Sequence, residues 1–305
     1  MYKIYMPSIT NLGSVIFASI LLTACGGGSD GNSTESGTSS FTLGITDAPV
    51  DGAEKVAIRF TGVEIMSEDS EAHVINFAEP KTLDLLALQG GVRDLLLDGE
   101  ELPADQYGQI RLMVQAEHDT IMDSYIVING AQHELRVPSG NQSGLKLIKN
   151  FELEAGETSD FTIDFDLRKS VVFAPGQGYM LKPVLRLVET PATGKISGTV
   201  APSVFTGQTC SSDPLTGYSV YLYQETGILP NDLGSTNAPI ATAKVTLNES
   251  SLYSYTLGFV EPRTYKIAVT CTADMDDPEK DDDVNLLAAA DVTASANTTT
   301  THNFQ

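Results

Sequence analysis

From Phe41 onward apolar and polar residues alternate with period two, and that period commits the chain to strands rather than helices. The clearest run is 161–167, where Phe161, Ile163, Phe165 and Leu167 alternate with Thr162, Asp164 and Asp166. Ile110, Leu112, Val114 and Ala116 alternate in the same way with Arg111, Met113 and Gln115. Both patterns predict strands of antiparallel sheets with one face buried and one solvated. In 56–65 the apolar parity moves from Val56, Ile58 and Phe60 to Val63 and Ile65 across Thr61-Gly62, which predicts a β-bulge. Asn129-Gly130, between YIVI and AQHELRV, predicts a hairpin with a primed turn, because both turn positions need positive φ. One short segment is helical in pattern. Leu83, Leu85, Leu86 and Leu88 precede Gly90-Gly91 and read as a turn or two stopped by glycine, with Leu95–Leu97 as a buried continuation.

The string Thr190-Pro191-Ala192-Thr193-Gly194 interrupts the pattern after a strand near Leu181–Val188, and a new alternating set starts at Ile196. A domain boundary is expected there, dividing 41–190 from 194–305. In the second half Tyr253, Tyr255, Leu257 and Phe259 share one strand face, as do Tyr265, Ile267, Val269 and Cys271. A chain of 305 residues with 41% hydrophobic residues supports two such cores. The expected fold class is therefore all-β: two antiparallel β-sandwiches of Greek-key, immunoglobulin-like kind.

Charge narrows the partners. Lys and Arg number 18 against 40 Asp and Glu, a formal net charge of -22, and both halves are acidic. Sequence-independent binding to nucleic acid or to anionic lipid headgroups is electrostatically unfavourable. Four His and three Cys are too few for a closed Cys/His zinc site without using nearly all of them.

The first 24 residues carry one charge, Lys3, and an apolar stretch Gly13–Ala24 of the length of a secretory h-region rather than a membrane span. Leu22-Thr23-Ala24-Cys25 resembles the lipobox of a bacterial lipoprotein signal. The resemblance implies that 1–24 is a signal peptide and that Cys25 becomes the first mature residue, bearing a diacylglyceryl thioether and commonly a third, palmitate-like chain. Several acyl chains on one residue suffice for stable anchoring. Gly26, in place of Asp, points to the outer membrane. Residues 25–40 then form a Gly- and Ser-rich linker spanning roughly 20 Å, after which the folded halves begin. With Cys25 lipidated, Cys210 and Cys271 remain as a pair, and an oxidising exported compartment favours a disulfide; two free core thiols are the alternative.

Gly44-Ile45-Thr46-Asp47-Ala48-Pro49-Val50-Asp51, Thr82-Leu83-Asp84-Leu85-Leu86 and Leu102-Pro103-Ala104-Asp105-Gln106-Tyr107 give 41–190 a resemblance to the bacterial DUF4382 domain. That family implies an exported lipoprotein β-sandwich and supplies no assigned activity. Lys195-Ile196-Ser197-Gly198-Thr199-Val200 and Tyr218-Ser219-Val220-Tyr221-Leu222 resemble the first two strands of prealbumin-like or carboxypeptidase-regulatory-like sandwiches. The resemblance implies a spacer or binding platform, in some cases for sugars, without catalysis.

The densest chemical feature is 274–283, DMDDPEKDDD, with Asp274, Asp276, Asp277, Glu279, Asp281, Asp282 and Asp283 in one loop. Carboxylates this dense repel one another unless solvated or neutralised by a hard cation, so Ca²⁺ and a solvated acidic loop are the two readings. The spacing is not that of an EF-hand, since position 278 is Pro and no central Gly is present. Asp47 and Asp51 flank Pro49 and read as capping groups of a turn. His133 falls opposite Ile126 in the hairpin and reads as a packed histidine, and His118-Asp119 has no nucleophile at a fixed spacing. Tyr221 and Tyr223 alternate against Val220 and Leu222, so their rings face outward or toward an interface, and sugar stacking is one use of such rings. No G-x-S-x-G, HExxH, phosphate-loop or dinucleotide motif is present. The expectation is a lipid-anchored envelope protein, a non-catalytic binding or structural module whose partner is a glycan or an envelope protein and which needs no cofactor except possible Ca²⁺. A carbohydrate-binding or calcium-dependent adhesion module is the first alternative, and an exported hydrolase the second.

Overall fold

The computed structural model describes residues 37–48, 52–67, 71–117, 119–138, 144–212 and 214–305, and the period-two segments within them are strands. The signal segment 1–24, Cys25, most of the linker, Asp51 and His118 lie outside the described residues. The first half contains β1 (Thr38–Ala48), β2 (Lys55–Ser67), β3 (His73–Asp84), β4 (Asp94–Pro103), β5 (Asp105–Gln115), β6 (Tyr125–Ile128), β7 (Ala131–Arg136), β8 (Leu145–Leu153), β9 (Thr158–Asp166), β10 (Val171–Ala174), β11 (Gly178–Leu181) and β12 (Leu185–Glu189). The second half contains β13 (Gly194–Val200), β14 (Ser219–Tyr223), β15 (Ala241–Lys244), β16 (Thr246–Leu247), β17 (Tyr253–Val260), β18 (Thr264–Thr270), β19 (Leu286–Thr293) and β20 (Thr299–Thr301).

Four sheets result. In the first half β12-β9-β1-β4 faces a larger sheet ordered β10-β11-β7-β6-β2-β5-β8, with β3 on the far side of β2. In the second half β16-β17-β13-β20 faces β15-β14-β18-β19. The all-β class holds, with one correction: β1 runs parallel to β9, β7 to β11 and β13 to β20, so the sheets are not purely antiparallel. Alternation specifies which residues share a face and is the same for either strand direction, so the sequence pattern left this open.

Local signals become local structure. The register of β2 slips between Phe60 and Gly62 against both β3 and β5, and a Cβ at Gly62 would lie 2.4 Å from the Ile75 carbonyl oxygen. The hairpin of β6 and β7 turns through Asn129 (φ 51°) and Gly130 (φ 72°), the two positive values a primed turn needs. His133 sits opposite Ile126, as read, with its ring 5.3 Å from that of Tyr179. The leucine-rich exception is a single 3₁₀ turn, Leu85–Leu88, followed by Gly90 and Gly91 with positive φ.

A large hydrophobic core forms on either side of 190–194, with a smaller buried cluster of Tyr221, Tyr223, Ala268 and Ala273 in the second half. The first includes Phe41, Phe151, Phe161 and Tyr107, in which Phe151 packs on the other three rings with centroids 5.2 to 6.0 Å away. The Tyr107 hydroxyl donates to the Pro103 carbonyl at 2.8 Å, which lets a large amphipathic ring be buried without an unpaired polar end. The second core gathers Ile196, Leu222, Tyr255, Leu257, Tyr265, Ile267 and Val269. Cys271 is buried beside them and is bonded to Cys210, with Cα atoms 5.0 Å apart.

The polar face of β9 departs from the expected solvated face. Thr162 and Asp166 are buried, and Leu167 leaves the strand to open a short helical turn, Leu167–Ser170. The acids on this face are paired instead of hydrated. Arg93 donates to both oxygens of Asp160 at 2.6 and 2.8 Å and to Thr162 Oγ1 at 3.0 Å. The Arg93 side chain lies so close over Gly44 that a Cβ there would be 2.9 Å from its Cδ. Arg186 donates to Asp164 at 2.5 Å and reaches the Phe259 carbonyl of the second half at 3.4 Å. Nearby, a Cβ at Gly258 would fall 2.4 Å from the Gly91 Cα, so backbone meets backbone where the halves touch.

Candidate metal centre and the joint beside it

The short turn after β9 aims two cations into the second half. Asp166 accepts from the Lys169 N–H at 3.3 Å and so caps the turn, which points Arg168 and Lys169 at their partners. Burial pushes the Asp166 carboxyl above its ordinary value, with Lys169 pulling it down. Lys169 Nζ donates to the Pro239 carbonyl at 2.5 Å. Arg168 is buried; its Nη2 donates to Ser219 Oγ at 3.2 Å, its Nη1 lies 3.5 Å from the Tyr221 hydroxyl, and its guanidinium carbon lies 5.7 Å from the centre of the Tyr221 ring. The Tyr221 hydroxyl in turn donates to Asp276 Oδ2 at 2.7 Å. A continuous polar path thus runs from the first half, through β14, into the acidic loop between β18 and β19.

At the end of that path three carboxylates converge. Asp232, Asp276 and Asp282 each present an oxygen, and the three oxygens lie within 4.8 Å of one another. Asp232 is 0% exposed and Asp276 7%, whereas Asp282 is half-buried. The two contributing loops are interlocked. The Leu233 N–H donates to both oxygens of Asp276 at 3.1 and 3.2 Å, and the Asp282 N–H donates to Asp232 Oδ2 at 2.5 Å. A Cβ at position 234 would lie 1.7 Å from the Lys280 carbonyl oxygen, so only Gly234 lets the loops approach this closely. Asp232 Oδ1 is buried and accepts no hydrogen bond. Burial raises the Asp276 carboxyl above its ordinary value, opposed by its bonds from Tyr221 and Leu233. Burial, and then the charges of Asp276 and Asp232, push the neighbouring Tyr223 hydroxyl strongly upward.

Of the seven acidic residues read as one cluster, Asp276 and Asp282 belong to this converging group. Asp274 accepts from Ser211 Oγ at 2.5 Å, Glu279 pairs with Lys182 of the first half at 2.9 Å, Asp277 is held by Lys280, and Asp281 and Asp283 are exposed. Among the described residues the converging group is Asp232, Asp276 and Asp282, and its third member, Asp232, is not among the seven acids that the sequence singles out. Asp232 shares its loop with only Glu225, seven positions away, so no acidic density marks it. The Tyr221 and Tyr223 rings are corrected as well: both are 0% exposed and cannot stack a ligand from solvent. Tyr221 faces the joint with Arg168, whereas Tyr223 donates to the Asn231 carbonyl within the second half at 2.5 Å. Asp47 is buried on β1 near the joint. Among the described residues no helix is long and apolar enough to cross a membrane.

In class, this is an all-β protein of two packed sandwich-like halves joined by buried charges, with a disulfide in the second. Residues 38–183, just under half of the chain, match the family model described as "Domain of unknown function (DUF4382)", in agreement with the resemblance carried by Gly44–Asp51 and Leu102–Tyr107. Among curated proteins none matches the chain. Solved structures similar to it include the Bacillus anthracis TIE protein, at 12% identity over 88% of this chain and 34% of that one, with a TM-score of 0.20. A leucine-rich repeat protein from Bacteroides thetaiotaomicron aligns at 12% identity over 88% of this chain and 26% of its own, with a TM-score of 0.20. GBS52, the minor pilin of Streptococcus agalactiae, aligns at 11% identity over 87% of this chain and 94% of its own, with a TM-score of 0.19. The chain spans about a third and about a quarter of the length of the first two. Likeness at that level transfers neither an activity nor a partner to this chain.

Proposed function

We propose that the chain is a non-catalytic structural or binding module of the cell envelope, held at a membrane by acyl chains on Cys25. The observation that carries the reading is the joint. Arg93, Arg168 and Arg186 are each engaged in holding strands or halves together, Asp160 and Asp164 are ion-paired beside them, and Asp166 caps the turn that carries Arg168. Such a body, stapled at Cys210–Cys271, suits a spacer that presents a surface to an envelope protein or a glycan at a set distance from lipid. The disulfide fits an oxidising exported compartment. The anchor is read from Leu22–Cys25, and the outer membrane from Gly26. Since the body is strongly acidic, the acyl chains and not electrostatics must supply membrane affinity.

Fractionation tests the anchor: the wild type partitions with membranes, and Cys25→Ser moves to the soluble fraction. A Cys25→Ser protein that stays with membranes contradicts it. Turnover of any substrate in a broad hydrolase panel, lost on unfolding and retained after repurification, contradicts the non-catalytic part. A calcium-dependent adhesion module is the second reading, favoured by the convergence of Asp232, Asp276 and Asp282.

A further inference from the structure

We infer that Asp232, Asp276 and Asp282 form a binding site for one hard divalent cation of the calcium class, which clamps loop 224–240 to loop 271–285 beside the joint between the halves. A solvated acidic loop explains Asp274, Asp281 and Asp283, which are exposed or bonded to neutral groups. It does not explain Asp232 and Asp276, which have been taken out of water next to each other. Two buried carboxylates with a third at their rim repel one another; Arg168, which acts on Asp276, stands behind the Tyr221 ring, and Lys280, which acts on Asp282 at the rim, is paired with Asp277. The decisive atom is Asp232 Oδ1, buried in a side chain with no exposure and without a hydrogen-bond donor. A buried carboxylate oxygen left in that state is unfavourable unless something positive meets it.

The dimensions fit an ion. Oxygens that each bind Ca²⁺ at its usual length lie no more than about 5 Å apart across the metal. The three oxygens here lie within 4.8 Å of one another. Their orientation is fixed from outside: Leu233 and Tyr221 hold Asp276, the Asp282 N–H holds Asp232, and the Asp277 N–H holds Asp282 at 2.8 Å. Backbone carbonyls and water complete the six to eight oxygens that such a cation takes. Because Asp276 also accepts from Tyr221, which packs on Arg168, ion binding strengthens the contact between the halves as well as between the loops.

The test uses the full chain, detergent-solubilised, stripped with chelator and titrated with Ca²⁺ by calorimetry. Melting temperature is measured in parallel, and Tb³⁺ luminescence is sensitised through tyrosine in a chain with no Trp. The expected result is saturable binding of one ion, a rise in melting temperature with calcium, and a terbium signal displaced by calcium. Asp232→Asn and Asp282→Asn abolish all three, Tyr221→Phe weakens binding about tenfold, and Asp281→Asn changes nothing. If Asp232→Asn does not fold, Asp282→Asn and Tyr221→Phe carry the same expectation. No saturable binding by the wild type overturns the inference. So does binding that survives in Asp282→Asn and is lost in Asp281→Asn, which would place the ion on the exposed part of the loop. Either failure leaves the non-catalytic reading and its membrane assay untouched.

Discussion

Replacing Cys210 and Cys271 together by alanine measures whether the two cores act as one. The bridge spans 61 residues of sequence. In the chain-entropy model its removal costs about 4 kcal/mol, a large part of the stability of any single domain. Backbone contacts around it survive the substitution, since the Ser211 N–H still donates to the Cys271 carbonyl at 2.9 Å, so the loss is chiefly that of the unfolded-state constraint. The shift in melting temperature depends on how much chain unfolds in the same step. If all of Ser36–Gln305 melts together, the larger entropy of unfolding limits the drop to about 7 °C. If the second half melts alone, the same loss lowers its transition by about 17 °C. The buried Arg168 and the Gly91–Gly258 backbone contact predict the former: a single calorimetric transition, with calorimetric and van't Hoff enthalpies in agreement, displaced by the smaller amount. Two resolved transitions, only one of which moves and by the larger amount, would refute the coupling. A variant that melts like the wild type would refute the contribution assigned to the disulfide.

Three further outcomes follow from the same contacts. Arg168→Ala removes a buried cation bonded to Ser219 and stacked on Tyr221, and urea denaturation will show a loss of about 3 kcal/mol, with Arg168→Met recovering much of it; equal stability of alanine variant and wild type contradicts the bridge. Gly258→Ala puts a Cβ against the Gly91 backbone, and an overpacking cost of about 1–3 kcal/mol with faster proteolysis near 190–194 is expected; an unchanged cleavage rate contradicts the close approach. The Asp166 carboxyl titrates higher in the folded than in the unfolded chain, so the folded state binds the proton more tightly. Its contribution to stability therefore grows as pH falls from neutrality through the raised value and levels off below the ordinary carboxylate range. Asp166→Asn keeps an acceptor for the Lys169 N–H and removes that pH dependence, with a gain in stability near neutrality; denaturation midpoints across the pH range check both.

What the sequence disclosed was set by how local the physics is. The bulge at Thr61-Gly62 and the turn at Asn129-Gly130 are conformational demands of a few adjacent residues, and both stand where the residues put them. The core rows Phe161–Phe165 and Ile110–Val114 were legible for the same reason, since alternation names the buried face. Alternation is silent on what covers the other face. Thr162, Asp164 and Asp166 look like a solvated edge until Arg93, Arg186 and the second half are laid over them. Tyr221 and Tyr223 failed as an exposed platform because β14 lies between β15 and β18 with loop 224–240 and the joint closing its second side. Asp232 had no signal of its own, standing 44 positions from Asp276 in a loop of mixed composition. Only the close approach permitted by Gly234 brings it to the acidic loop.

Envelope anchoring through Cys25 is tested most directly by intact-mass and peptide mass spectrometry of the native protein extracted from membranes. Acylation predicts a chain that begins at Cys25 and carries the mass of a diacylglyceryl group, with or without a third acyl chain. A chain that still begins at Met1, or a Cys25 amino terminus with an unmodified thiol, would contradict it.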